Sequence, residues 1–150
     1  MAAFKFRLAA VLRLRQRLKD EREWELHALI QARHALEAEI AALEQELRTM
    51  DDALGVAIGE ILSVIDLQLA SQYSQRIDQH IKAKVAALTK LDAAIAGKRG
   101  ELVEALRGVK SLERLRERQT EKFRREQDSA EQKFADEVAQ RKFFVGPSGK

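Results

Sequence analysis

Residues 29–64, LIQARHALEAEIAALEQELRTMDDALGVAIGEILSV, decide the fold. Read in alternating steps of four and three, they give Leu29, Arg33, Leu36, Ile40, Leu43, Leu47, Met50, Leu54, Ala57, Ile61 and Val64. Ten of these eleven are apolar, the repeat that lines one face of a helix up against another helix. Carried towards the N-terminus, the same spacing gives Leu8, Val11, Arg15, Leu18, Arg22 and Glu25, a seam diluted with charge. The pattern predicts a first helix from about residue 5 to about residue 55, roughly 75 Å long at 1.5 Å per residue.

Gly55 and Gly59 stand four apart beside Asp51 and Asp52, and mark the best break in the middle of the chain. The turn is expected over about residues 56–63. Ser63-Val64-Ile65-Asp66 then has the capping pattern in which a serine hydroxyl accepts from the amide three residues on. From there a second seam reads Ile77, Ile81, Lys84, Leu88, Leu91, Ile95, Lys98, Leu102, Ala105, Val109 and Leu112. It continues less regularly through Leu115, Phe123, Ala130, Phe134 and Val138, so helix 2 is expected over about residues 64–141. Residues 145–150, with Gly146, Pro147 and Gly149, are expected to be disordered.

Two long helices with one short connection give an all-α fold. We expect a single antiparallel two-helix coiled-coil hairpin over residues 1–150, with helix 2 the longer. A turn centred near residue 59 or 60 sets position i opposite roughly position 119 minus i. Helix 1 then runs out opposite about Leu115, and the last 25 or so residues of helix 2, including Phe123 and Phe134, overhang by nearly 40 Å. The same pairing puts Trp24 opposite about Ile95, where Ala93, Ala94, Ala96, Gly97 and Gly100 leave room for the indole.

Composition agrees with narrow helix–helix seams. Ala, Leu, Glu, Lys and Arg supply 85 of 150 residues, only 8 are aromatic, and the single proline is at position 147. No β-branched or aromatic runs bounded by turns argue for a sheet.

The chemistry-bearing residues are sparse. There are no cysteines, which excludes a disulfide scaffold, a thiolate metal site and a cysteine nucleophile. His27, His34 and His80 do not form the i, i+4 pair of a helical zinc site, and they read as ordinary half-exposed polar positions. There is no phosphate-cradling glycine loop and no nucleophile elbow. The carboxylates sit among Lys and Arg at helical spacing, where they act as solubilising pairs. We expect no enzyme, no cofactor and no metal. No apolar run approaches the roughly 20 residues that span a bilayer, and Met1 to Leu8 leads into Arg-rich sequence rather than an apolar signal region. The expected location is the cytoplasm.

The net charge of +3 is small, but its distribution is not even. Lys5, Arg7, Arg13, Arg15, Arg17, Lys19 and Arg22 face only Asp20 and Glu21 in that stretch, with Phe4, Phe6, Leu8, Val11, Leu12 and Leu14 interleaved. Such a segment suits an acidic protein surface, an anionic membrane surface or nucleic acid. Residues 113–142 carry nine basic and eight acidic residues, less one-sided than a duplex-binding helix, so a protein surface is favoured over nucleic acid. A basic coiled-coil tether for nucleic acid or anionic membrane stands as the alternative.

Phe4-Lys5-Phe6-Arg7-Leu8, with Val11-Leu12-Arg13-Leu14-Arg15 after it, resembles the start of FliJ-family flagellar export proteins. Ile65-Asp66-Leu67-Gln68, followed by Tyr73 and Ile77, is similar to that family's start of helix 2. Residues 112–118, LERLRER, through 131–137, EQKFADE, resemble its closing stretch. The resemblance covers nearly the whole chain. It implies a non-enzymatic part of the flagellar type III export apparatus, cytoplasmic and peripheral at the inner face of the membrane through its partners. Such proteins are hairpins similar to the central stalk of rotary ATPases. They bind the hexameric export ATPase at the centre of its ring and the cytoplasmic part of the export gate, and they help escort export chaperones. On that resemblance the ATPase-binding residues are Phe6, Arg7, Arg13, Arg17, Arg116, Arg118, Phe123, Arg124 and Arg125. Those for the export gate are Tyr73 and Ile77, at the other end of the hairpin. Gly97, Gly100 and Gly108 make helix 2 softer than a torque-transmitting stalk calls for.

Overall fold

The computed structural model describes residues 3–57 and 63–145. Among them are two helices, α1 (Ala9–Ala57, 49 residues) and α2 (Val64–Val145, 82 residues). They pair as an antiparallel coiled-coil hairpin in which α2 is the longer. The chain before α1, from residue 3, has no regular secondary structure. A turn at Arg7–Leu8 leads into the helix, with the Ala9 amide donating to the Phe6 carbonyl at 3.2 Å and the Leu12 amide to the Leu8 carbonyl at 2.9 Å. α1 then continues through Gly55. One glycine costs about 1 kcal/mol in a helix interior, and here Leu54 and Ala57, on either side of it, remain half-buried in the seam. Gly59, Ile61, the centre of the expected turn and the tail from Gly146 lie outside the described residues. α2 opens as its capping pattern predicts, with the Asp66 amide donating to Ser63 Oγ at 3.1 Å.

The chain divides into two compact units. One comprises Asp20–Val103 and the other Met1–Lys19 with Glu104–Lys150. Within Asp20–Val103 the seam is as narrow as the composition implies. Ile77 and Ile95 are buried, while Leu29, Leu36, Ile40, Leu43, Leu47, Ile81, Leu88 and Leu91 are half-buried.

The charged seam positions of this unit find partners across the hairpin. Lys98 Nζ contacts Glu25 Oε2 at 2.7 Å and Glu101 Oε2 at 3.0 Å; Arg22 Nη1 contacts the same two carboxylates at 3.1 and 3.4 Å. Two cations and two anions thus close a ring between α1 and α2. Further along, Arg33 Nε donates to Asp92 Oδ1 at 2.6 Å and Lys84 Nζ to Glu39 Oε2 at 2.7 Å. Lys98 and then Arg22 hold the Glu25 carboxyl below the usual range; Glu25 and then Glu101 raise Lys98. The Tyr73 hydroxyl donates to a carboxylate oxygen of Glu46, which raises the phenol, because ionising it would set one anion against another.

These pairs correct the expected pairing. Glu25 was to face about position 94, and it meets Lys98 instead. Arg22 with Glu101 and Glu39 with Lys84 are displaced by the same four residues, one helical turn; only Tyr73 with Glu46 keeps the expected offset. Arg33 with Asp92 is displaced further, by six residues. The cause is chemical: in the observed pairing Arg22, Glu25, Arg33, Lys84 and Lys98 each meet an opposite charge across the hairpin. Trp24 is corrected with it: the indole is 73 % exposed, and the space beside Gly97 and Gly100 is open out to 4 Å.

In the other unit the buried residues are Leu12, at 3 % exposed, with Ala105 and Val109. Val11, the expected seam residue, is 41 % exposed. Leu8, Leu12 and Gln16, all at least partly covered, succeed one another in steps of four. Such a stutter in the heptad shifts the contact stripe sideways. Arg15 leaves the seam centre, and its Cδ lies 3.6 Å from where a Cβ on Gly108 would stand.

Truncating Leu12 to Ala should cost about 2–5 kcal/mol, whereas Val11→Ala should cost much less; urea melts of the two variants test the stutter. Because the Glu25 pKa is depressed on folding, its stabilisation is present above its ordinary value of 4.5 and lost as pH falls through the folded value. Glu25→Gln should therefore lower the melting temperature at pH 7, with the gap from wild type closing below about pH 4.5. Tyr73 is the only tyrosine. Tyrosinate absorbance should titrate above pH 10.0 in the folded protein and move back towards that value in Glu46→Gln. The stability this contact supplies is present below the phenol's ordinary value and lost as pH rises through the folded one.

Candidate functional site

Residues 3–19 contain Lys5, Arg7, Arg13, Arg15, Arg17 and Lys19, and no acidic residue at all. Residues 104–125, in the same unit, carry eight basic and four acidic residues. The unit Asp20–Val103 has the opposite balance, nine basic against fifteen acidic. Folding gathers the first two segments through an aromatic contact. The Phe4 ring packs on Phe123 with centroids 5.6 Å apart and planes tilted by 44°, a geometry aromatic pairs favour. Phe6 is half-buried beside it in sequence, and Leu12, Ala105 and Val109 form the buried strip of the unit.

Most of the nominated cations are held out to solvent. Arg7, Arg13, Arg17, Arg116 and Arg118 are exposed and make no ion pair among the described residues. Arg124 Nη2 and Arg125 Nε both reach Glu121 Oε1 at 3.2 Å, so two guanidinium groups share one carboxylate and a net positive charge remains. Phe123 was expected in the overhang. It is half-buried against Phe4 instead, so the single-stranded part of α2 starts about two turns later than the expected pairing put it. Beyond it Phe134 is 69 % exposed, and among residues 124–144 only Gln127 and Val138 are partly covered.

The remaining nominees lie in Asp20–Val103. Tyr73 is exposed and engaged with Glu46. Ile77, one turn on, is 4 % exposed, so its side chain faces the seam and not solvent. Val64, Ile65, Leu67 and Leu69, in the turns before Tyr73, are all exposed. Phe4 and Leu12 are the two residues the sequence reading did not nominate. The alternation of Phe4 with Phe6 was the signal for the first. Nothing in a strict heptad marks Leu12 over Val11.

Among the described residues no group of three His, Cys, Asp or Glu side chains is placed to hold a metal ion, and no helix is long and apolar enough to cross a membrane. What the geometry offers is surface: a cationic, aromatic-edged face in one unit and an apolar strip leading to Tyr73 in the other.

No curated protein and no solved structure matches the chain. A family model described as "Flagellar FliJ protein" matches residues 4–148. That span takes in both helices, the aromatic contact at Phe4 and nearly the whole sequence, and the chain belongs to the FliJ family of flagellar proteins.

Proposed function

We propose that this flagellar export component works as a non-enzymatic adaptor, a stalk that binds the export ATPase ring through its cationic unit. The observation that carries the reading is the acid-free basic segment 3–19, fixed to α2 by Phe4 on Phe123, with its arginines exposed and unpaired among the described residues. Unpaired guanidinium groups give long-range steering towards an acidic pore, and the neighbouring aromatic and aliphatic surface gives anchoring once contact is made. Arg7, Arg13, Arg17, Arg116 and Arg118 would supply the steering. Arg124 and Arg125 would add to it, and Phe6 and Phe123 would anchor.

For the export gate the contact residue is Tyr73, whose ring is exposed while its hydroxyl already has an acceptor. Ile77 would act from within the seam, by holding the α2 turn that presents Tyr73. Escort of export chaperones, and residence at the cytoplasmic face of the membrane through these partners, follow from the same reading. A second reading, a basic tether for nucleic acid or an anionic membrane, draws on the same excess of cations.

The decisive measurement is the rate of the cognate export ATPase, and its ring assembly, with and without this protein. Stimulation at a defined stoichiometry, lost in the Arg13→Glu, Arg124→Glu double variant with helicity unchanged, is the expected result. Absence of stimulation and of ring binding, together with a steep log–log salt dependence of binding to DNA or anionic vesicles, would replace it with the tether.

A further inference from the structure

Past its contact with Phe4, α2 keeps the heptad rhythm. Phe123 marks the face of the helix that the unit uses, since its ring packs on Phe4. From it, steps of four, three, four and four land on Gln127, Ala130, Phe134 and Val138, all on that one face. Ala130 is exposed, Phe134 is 69 % exposed, and only Gln127 and Val138 are partly covered. Arg141, next on the same face, ends the apolar run. From Gln127 to Val138 the stripe measures about 17 Å.

The charges beside the stripe have one sign. Glu126, Asp128, Glu131, Asp136 and Glu137 stand there against the single cation Lys133. At about 100° per residue, Glu126 and Glu137 border the stripe on one side and Glu131 on the other, while Lys133 lies further round. All five carboxylates are exposed, and none makes an ion pair among the described residues. An apolar centre with charged flanks is the arrangement of a coiled-coil seam, and here both flanks are negative.

We infer that this face docks a basic amphipathic helix of another protein. Apolar residues of that helix would cover Ala130, Phe134 and Val138, and its Lys or Arg flanks would meet Glu126, Glu131 and Glu137. The spacing calls for a helix, because knobs at alternating steps of three and four are matched by another helix and not by an extended strand. The glutamates select against acidic surfaces, nucleic acid and anionic lipid, the targets that suit residues 3–19. They also select against a second copy of this chain. Laid antiparallel with Phe134 on Phe134, a copy sets Glu131 beside Glu137 twice over; laid parallel, it sets Glu126 beside Glu131. The inference goes beyond the ATPase reading and uses none of the cations assigned there.

The test uses the full chain and two synthetic three-heptad peptides. Both have leucine at the seam positions; one has lysine on the flanks and the other glutamate. Binding is followed at about 0.15 M salt, by anisotropy of a dye on the peptide and by circular dichroism. The expected result is one lysine peptide per chain with a gain of helicity, bound at least about tenfold tighter than the glutamate peptide. Phe134→Ala, at an exposed position, should weaken binding by about tenfold with the chain's own helicity unchanged. The triple variant Glu126→Lys, Glu131→Lys, Glu137→Lys should exchange the preference, so that the glutamate peptide binds the tighter. No binding of the lysine peptide overturns the inference. Binding indifferent to both variants overturns it too, because the peptide would then rest on the acidic unit Asp20–Val103. So does a mass that doubles in sedimentation equilibrium and returns to the monomer in Phe134→Ala, since a second copy would then hold the face.

Discussion

The constraint on which the hairpin depends is that charges placed in a seam must meet their opposites. Apolar heptad residues are nearly interchangeable: Leu36 packs about as well against one leucine of α2 as against another a turn away, so hydrophobic burial alone tolerates slippage. Arg22, Glu25, Arg33, Lys84 and Lys98 do not tolerate it. Each exposed pair contributes little to stability, but a slip of one turn separates several at once. Apolar residues hold the helices against each other, and charged ones choose where.

That division of labour accounts for what could be read in advance. The helices, their antiparallel pairing and the greater length of α2 follow from the heptads and from the lack of any breaker but the central glycines. Ser63 with Asp66 is legible because a cap is a local interaction between four residues. The offset between the helices is not local. It was inferred from the presumed centre of the turn, whereas the ionic partners fix it, and it came out one turn away. Trp24 followed that error, since an indole and two glycines look like knob and hole only if they are opposite.

The candidate surfaces were legible in part, for a related reason. The basic N-terminal turns and the arginines of α2 are visible as composition, and composition is what solvent-exposed electrostatics depends on. Which aromatic residues are free and which pack within the chain is a matter of pairing. Phe123 was counted as overhang and proves to be the floor under Phe4. Ile77, one turn from an exposed tyrosine, proves to be one of the few buried residues in its unit. In both places the residue type was informative and the neighbour was not.

The thinness of the seam also governs how such a sequence drifts over evolutionary time. Leu12, Ile77, Ile95, Ala105 and Val109 are the buried core among the described residues, and most other positions are open to water on at least one side. Substitutions there meet little resistance so long as apolar residues recur every third or fourth place and charges keep their opposites. Two descendants of one ancestor can then lose nearly all identity while keeping the rhythm. A profile of the whole family retains that rhythm position by position, and a pairwise comparison does not. A chain of this kind can therefore match its family along almost its entire length without matching a curated protein one to one.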